Sequence, residues 1–286
     1  MATKKKKDPA PPAAPAGRPS REENSILSPE FTPVEEVKGV EDLTKACYKL
    51  CNRFGSMPWF RGHSREAWKL VPSIHRGYNH DQEVDMTLRF RLQATSRRPS
   101  CPSEDDWAAW LSLMRHFGLP TRLLDWSESI LVAAFFAVCT ERPPQVMGMG
   151  AATIWAMHPF KLNQSIQIAK GVPLFAGQQG RTLALPAFFA GAAPDDTVTA
   201  VQPGEIDGRM MLQQSVFTIH GGPKPLEDMP GCKDFMAKLV IPYEFRANLA
   251  DGVEKLGLRR SKVFPDLENL AADIKDAARR SIIVPL

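Results

Sequence analysis

Residues 115–137, RHFGLPTRLLDWSESILVAAFFA, decide the fold, because a short polar segment there separates two apolar helices. Gly118 favours left-handed backbone and Pro120 cannot continue a helix, so the first helix is predicted to end at Gly118. Asp125 or Ser127 is predicted to cap the second helix. Polar side chains held between two core elements can be positioned accurately, and we therefore treat this segment as a candidate site.

The composition indicates a globular protein. The chain has 286 residues, which suffices for one large domain or two small ones, and with 43% hydrophobic and 24% charged residues it can bury a sizeable core. The net charge of +4 is concentrated in residues 1–23, which carry six basic and three acidic side chains. Because the rest of the chain is nearly neutral, its charge predicts no general affinity for nucleic acid.

The N-terminal residues 1–32 are rich in Lys, Pro and Ala and nearly lack large apolar side chains. We predict that they form a disordered tail and that residues 33–286 form a single domain. The lysine run at residues 4–7 could contact nucleic acid weakly or act as an import signal, although a solvated tail without a partner is the simpler interpretation. With five cysteines in no CxxC pair and no membrane-length apolar run, we expect a cytoplasmic protein that does not bind membranes.

Periodicity predicts the helices and strands. Helices are expected at residues 37–54, 81–95, 103–118, 128–139, 243–256 and 265–280. Strands are expected at residues 59–60, 152–157, 198–201, 215–220, 236–241 and 282–284. Residues 160–208 show weak periodicity and could form a lid or a substrate loop. The order of elements favours an α+β fold, a single domain with N-terminal helices around a mixed, mostly antiparallel sheet.

Several large apolar side chains are predicted to face the core. On the second helix these are Val84, Leu88 and Leu92, and on the third helix Phe117 completes an apolar stripe. Trp68 is also assigned to the core. Cys47 and Cys51 lie one turn apart on the first helix, where core packing is a better interpretation than a metal pair.

The motifs of several enzyme classes are absent from the sequence. It contains no HExxH, no Walker loop, no GxGxxG after a strand and no GxSxG, and the histidines and cysteines lack metal-site spacing. What remains is a polar set composed of Arg61, Thr121, Arg122, Asp125 and the pair Gln213-Gln214. Arginine forks with amide and hydroxyl partners suit a phosphate-bearing ligand such as a nucleotide. The alternative is that Arg122 and Asp125 form a buried ion pair that only fixes the turn.

Five motifs in order resemble the FRG domain, named after the triplet Phe60-Arg61-Gly62. The motifs are WFRGH at 59–63, WKLVPSIHRG at 68–77, the stretch at 115–137, RMMLQQSVFTIH at 209–220 and KVFPDLENLAADI at 262–274. The resemblance covers roughly residues 40–275.

A more distant resemblance is to ADP-ribosyltransferases of the Arg-Ser-Glu type, whose fold it implies for this chain. Those enzymes carry an arginine followed by glycine on an early strand, a Ser-Thr-Ser strand leading into a V-A-x-x-F-A helix, and a later strand with a catalytic glutamate. Here the matching residues are Arg61, Gly62, Thr121-Arg122 and Gln213. The resemblance implies that NAD is the substrate and that Arg61 anchors its diphosphate. Thr121 would support the pocket of the nicotinamide ribose, and Gln213 would occupy the catalytic position.

The site residues that follow from this resemblance fall into two groups. Gln213, Arg61 and Asp125 are the candidate catalytic residues. The candidate cofactor-binding residues are Arg61, Gly62, His63, Thr121 and Arg122, and no metal is expected.

The sequence departs from the transferase pattern at two places. The Ser-Thr-Ser element is absent, and the neutral Gln213 stands where those enzymes use a carboxylate to stabilise developing positive charge. Either another acid serves, Asp125 or Glu205, or the activity is altered or absent. The leading hypothesis is transfer of ADP-ribose from NAD to a macromolecular acceptor, protein or nucleic acid, in a toxin or antiviral-defence role. The alternative is a non-catalytic module that binds a nucleotide or nucleic acid.

Overall fold

A computed structural model describes residues 35–140, 150–167, 171–192, 196–204 and 208–279. The described strands are β1 (Glu35–Glu36), β2 (Trp59–His63), β3 (Leu123–Ser127), β4 (Ala152–Met157), β5 (Val198–Val201), β6 (Ser215–His220) and β7 (Met236–Ile241). The described helices are α1 (Val40–Phe54), α2 (His80–Ala94), α3 (Trp107–His116), α4 (Ile130–Val138), α5 (Pro159–Ser165), α6 (Gln178–Ala184), α7 (Gly208–Leu212), α8 (Cys232–Phe235), α9 (Arg246–Lys255), α10 (Arg260–Val263) and α11 (Leu267–Arg279). Short 3₁₀ turns lie at Ser73–Arg76, Leu185–Ala187, Leu226–Asp228 and Tyr243–Phe245.

The seven strands form one sheet in the order β1-β7-β4-β2-β3-β6-β5. Only β1 and β7 are parallel, and every other neighbouring pair is antiparallel. The predicted α+β fold with a mixed, mostly antiparallel sheet in a single domain is thereby confirmed.

Side-chain alternation along the strands gives the sheet two apolar faces. On one face Phe60 of β2 and Ile154 of β4 pack with α1, α4 and α9. On the other face Trp59 and Trp155 pack with Leu162 of α5 and with side chains of α8. A third apolar cluster joins α3 to β6 and α6. The sheet is therefore covered on both sides, which leaves the strand ends and the gaps between strands as places for a site.

Gly62 allows β2 to lie directly against α4. A Cβ atom at this position would stand 1.9 Å from the carbonyl oxygen of Ala133 and 2.7 Å from the amide nitrogen of Ala137. The glycine that follows Arg61 is thus required by backbone packing, because any side chain would push the helix away from the strand.

The predicted strands at 152–157, 198–201, 215–220 and 236–241 are confirmed, and the predicted strand at 59–60 continues to His63. The interpretation of residues 121–127 as a polar connection is wrong, because β3 runs from Leu123 to Ser127 with its leucines and Trp126 buried. Ser129 caps α4 by accepting from the amide of Val132, in place of the predicted Asp125 or Ser127. The predicted tail at 1–32 and the strand at 282–284 lie outside the described residues.

Four side chains assigned to the core are exposed: Trp68, Leu88, Leu92 and Phe117. On α2 the buried face is formed by Glu83, Val84 and Thr87. Leu88 and Leu92 are therefore exposed. Leu92 consequently keeps 79% of its surface exposed. None of the helices in the described ranges is both long and apolar enough to cross a membrane.

Candidate functional site

The sheet opens between β2 and β3. These strands are paired only at Phe60 and Ser127, whereas β2 pairs along its whole length with β4 and β3 does so with β6. The ladder between the two strands stops after Phe60, so the backbone carbonyl of Asp125 is not paired with the backbone of β2. Such an opening in the middle of a sheet exposes strand backbone and the side chains beside it to a ligand.

Arg61 bridges this opening. Its Nη1 atom donates to the carbonyl oxygen of Asp125 at 2.5 Å, and its Nε atom donates to Nε2 of His63 at 3.1 Å. The side chain is 17% exposed. Burial lowers the pKa of Arg61 to about 10, which still leaves the guanidinium charged at neutral pH. Arg61 is thus a cation held by two hydrogen bonds, and it lines the cleft described below.

Asp125 is the acid at the centre of the opening. Arg115 of α3 binds the Asp125 carboxylate through two of its nitrogen atoms. Nε donates to Oδ1 at 3.1 Å and to Oδ2 at 2.9 Å, and Nη2 also donates to Oδ2. Nη1 of Arg61 lies 3.7 Å from Oδ2. Burial alone would raise the pKa of Asp125, but the charge and hydrogen bonds of Arg115 and the charge of Arg61 hold it below its usual value.

These groups line a cleft of ≈ 690 Å³. Its volume lies in the range of small-molecule sites. The charged lining residues are Arg61, Arg115, Arg209 and Asp125, so the arginines exceed the acid by two charges. The aromatic lining residues are Phe60, Phe117, Trp126, Phe136 and Phe217. Arginine forks beside aromatic rings suit a ligand that combines phosphate with a planar ring.

His63 supports Arg61 as a neutral acceptor. It is 2% exposed, and burial together with the charges of Arg61 and Arg76 lowers its pKa to about 3. A protonated imidazole would place a second cation against the Arg61 guanidinium, whereas the neutral ring accepts its hydrogen bond. His63 therefore positions Arg61 and does not line the cleft itself.

Gln213 also lines the cleft, at the end that leads into β6. The side-chain Nε2 atom of Gln213 donates to the backbone carbonyl of Val263 at 3.0 Å. The backbone carbonyl of Gln213 accepts from Oγ of Ser127 at 2.7 Å. Gln214 adopts left-handed backbone with φ 47° and accepts from the amide of Glu128. Gln213 therefore brings a neutral side-chain amide, with an acceptor oxygen, to the lining of the cleft, while Gln214 shapes the turn.

Thr121 and Arg122 are not part of this cleft. Nε of Arg122 donates to Oε1 of Glu83 at 2.9 Å and Nη2 donates to Oε2 at 2.5 Å, and both side chains are buried. Thr121 is buried beside them and accepts from the amide of Leu123. Arg122 borders a separate cavity of ≈ 260 Å³ with Glu83 and His75. The alternative of an ion pair between Arg122 and Asp125 is also wrong, since each has another partner.

Sequence reasoning missed three arginines around the cleft. Arg115 and Arg209 occur in the sequence analysis only as members of longer motifs, yet both line the cleft. Arg76 donates to the carbonyl of Val71 at 2.9 and 2.7 Å and is close enough for its charge to lower the pKa of His63. The only sequence signal for Arg115 was its place ten residues before Asp125 across the chain reversal at Gly118. No group of three or more His, Cys, Asp or Glu able to hold a metal occurs in the described ranges.

One comparison with known proteins gives a match, and it covers part of the cleft. No curated protein and no solved structure matches the chain. A protein-family model does match, and it spans β2, α3, β3 and α4, which carry Arg61, Arg115 and Asp125. The prediction that the domain spans 33–286 stays a prediction. Residues 56–145 of this chain are similar to the FRG domain.

Proposed function

We propose that the cleft between β2 and β3 binds the diphosphate of NAD, and that the chain is an ADP-ribosyltransferase-like protein that modifies a macromolecular acceptor. The observation that carries the proposal is the excess of arginine over acid where the sheet opens. Arg61 and Arg115 are both held by Asp125, so their guanidinium planes are fixed before a ligand arrives. Preorganised donors of this kind favour a doubly charged phosphate ester.

The reaction would break the bond between C1′ of the ribose and nicotinamide, which leaves as a neutral base with the bonding electrons. The acceptor then forms a bond to C1′ and releases its proton to water. Arg61 would hold the diphosphate and the Gln213 amide oxygen would accept a ribose hydroxyl. Asp125, the one carboxylate among the described lining residues, is the candidate for stabilising the positive charge on the sugar.

A second candidate function is non-catalytic binding of a nucleotide or a nucleic-acid end. The observation that favours it is the state of Asp125, whose negative charge is already neutralised by two guanidinium groups. Gln213 is uncharged, and its side-chain Nε2 atom donates to the backbone carbonyl of Val263. A cleft of this composition can bind phosphate without speeding the loss of nicotinamide.

The test is incubation of the purified protein with labelled NAD and a cell extract, scoring free nicotinamide and label on protein or nucleic acid. The wild type is compared with Arg61→Ala, Gln213→Ala and, as a control, Arg89→Ala, whose side chain is exposed on α2. A transferase loses label in the first two variants and keeps it in the third. If the wild type releases no nicotinamide but calorimetry detects NAD binding that Arg61→Ala abolishes, the binding module is supported instead.

The nature of the acceptor, a toxin or antiviral-defence role and a cytoplasmic location all stay predictions of the sequence. The labelled fraction in this experiment identifies the acceptor class directly.

A further inference from the structure

Phe117 is an exposed aromatic residue on the wall of the cleft. It follows the last residue of α3, His116, and it is 61% exposed although its sequence position predicted burial. Gly118, with φ +82°, reverses the chain directly after it. The backbone therefore turns away while the Phe117 ring stays at the cleft.

Two neighbouring rings support Phe117 without covering it. His116 contacts it edge to face with 4.9 Å between ring centroids, and Phe90 lies 6.5 Å away. A large apolar ring left open to water forgoes the stabilisation that burial would give it. An exposed aromatic ring that is held by its neighbours and lies beside a charged cleft is typical of a ligand-binding surface, where the ligand covers the ring.

Phe117 stands two residues after Arg115, and both side chains line the same cleft. The lining of the cleft thus includes a guanidinium fork held by Asp125 and an exposed aromatic ring. A nucleotide carries the complementary pair of groups, a phosphate and a planar heteroaromatic ring joined through ribose. Because both residues line one cleft of ≈ 690 Å³, one bound nucleotide can engage both groups.

We propose that Phe117 is the stacking platform for a heteroaromatic ring of the nucleotide bound in the cleft, either adenine or nicotinamide. This inference rests on the proposed function, because it needs a nucleotide whose phosphates lie at Arg61 and Arg115. It assigns Phe117 a role in selecting nucleotides over simple phosphates. Stacking of a base on an aromatic side chain changes affinity by roughly 5- to 150-fold when the ring is removed.

The experiment measures by calorimetry the affinity of four probes for the full chain: NAD, ADP, nicotinamide mononucleotide and inorganic pyrophosphate. Phe117→Ala is expected to lower the affinity for NAD by roughly 5- to 150-fold and to keep the affinity for pyrophosphate within about twofold of the wild type. Parallel weakening of ADP identifies adenine as the stacked ring, and parallel weakening of nicotinamide mononucleotide identifies nicotinamide. Phe117→Trp should retain the affinity of the wild type, whereas Phe117→Leu should not, because leucine keeps apolar volume but has no aromatic face.

The matched control is Phe160→Ala. Phe160 is 44% exposed and has His158 as an edge-to-face neighbour at 5.9 Å, but it does not line the cleft. This control should bind all four probes as the wild type does, and thermal melting of each variant checks that it is folded.

Failure of this inference differs visibly from failure of the proposed function. If Arg61→Ala abolishes NAD binding while Phe117→Ala leaves it unchanged, the stacking role is overturned and the proposed function stands. Equal weakening of pyrophosphate and NAD by Phe117→Ala also overturns the stacking role, since the ring would then support the arginines. A wild type that binds none of the four probes overturns both, and Phe117 is then better explained as a contact for a macromolecular partner.

Discussion

Arg61 and Arg122 were predicted to serve one site, and the fold gives them opposite environments. Arg122 is enclosed with a single acid, Glu83, and both side chains are almost inaccessible at 1% and 4% exposure. Arg61 shares Asp125 with Arg115 at an open cleft, so positive charge is in excess there. The comparison shows that the number and burial of acids around an arginine decide its role. A balanced, buried pair fixes the fold, and an unbalanced, accessible group can bind a ligand.

The largest effect is expected from breaking the buried pair. Arg122→Ala leaves the Glu83 carboxylate buried without a partner, which typically costs about 3–5 kcal/mol of the free energy of unfolding. Urea unfolding of the two proteins at pH 7 measures the difference. The control is Asp85→Ala, which breaks the exposed pair with Arg89 on the same helix and should cost less than about 0.5 kcal/mol.

The double replacement Glu83→Leu with Arg122→Met sharpens the test. Because two apolar side chains of similar volume remove both buried charges, the double variant should be far more stable than either single variant. If Arg122→Ala costs no more than Asp85→Ala, the pair does not hold α2 against β3. Arg122 would then have no structural role that distinguishes it from Arg61.

What the sequence could predict depended on whether a residue's partner was near it in the chain. Strands β4 to β7 were predicted because their own apolar patterns suffice. β3 was missed because Asp125 and Ser127 interrupt its apolar pattern and Arg122 directly precedes it. Each of these polar side chains has its partner elsewhere in the fold. Those partners are Glu83, Arg115 and the Gln213 carbonyl.

The site was partly predicted for the same reason. Arg61 and Gly62 were found from the motif, and Asp125 and Gln213 from their order along the chain. Arg122 was placed wrongly because its partner is 39 residues away and nothing local distinguishes a buried arginine from a ligand-binding one. Arg115 was missed as a site residue because the apolar stripe of α3 already explained its helix.

An intermediate effect is expected from the pH dependence of stability at His63. Its pKa is about 3 in the folded protein, owing to burial and the charges of Arg61 and Arg76, whereas an unfolded histidine titrates near 6.5. Between these values only the unfolded state takes up the proton. This residue therefore stabilises the protein less and less as the pH falls below about 6.5, by about 1.4 kcal/mol per pH unit, and has no effect on the slope above it.

Replacing His63 by glutamine, which can still accept from Arg61, removes that contribution. The stability difference between the wild type and His63→Gln should be constant above pH 7 and change steadily between pH 6 and 4.5, as measured by urea unfolding. His220 also has a pKa of about 3, but it is present in both proteins and cancels. Parallel stability curves over the whole range would mean that the pKa of His63 stays near 6.5 in the folded protein. The surroundings of His63 would then not hold the ring neutral in acid, and its assignment as a neutral acceptor for Arg61 would be wrong below that pH.

The smallest effect on stability is expected at Asp125. Asp125→Asn removes the acid from the open cleft and raises its excess of positive charge from two to three. Because the side chain is about one-third exposed, the loss of stability should stay near 1 kcal/mol. Affinity for inorganic pyrophosphate should rise by about fivefold, as expected for roughly 1 kcal/mol of solvent-screened attraction, and the gain should shrink as salt is added.

The matched control for Asp125→Asn is Asp85→Asn, which changes the net charge equally but on the exposed face of α2, and it should leave pyrophosphate affinity unchanged. The two acids that hold arginines would then differ in kind: breaking the Glu83–Arg122 pair destabilises the fold, whereas removing Asp125 improves the binding of anions. If Asp125→Asn instead weakens pyrophosphate as strongly as Arg61→Ala does, the acid is needed to hold the guanidinium groups in register. The cleft would then depend on a fixed ion-pair geometry, as the Glu83–Arg122 pair does, and excess charge would no longer explain its affinity.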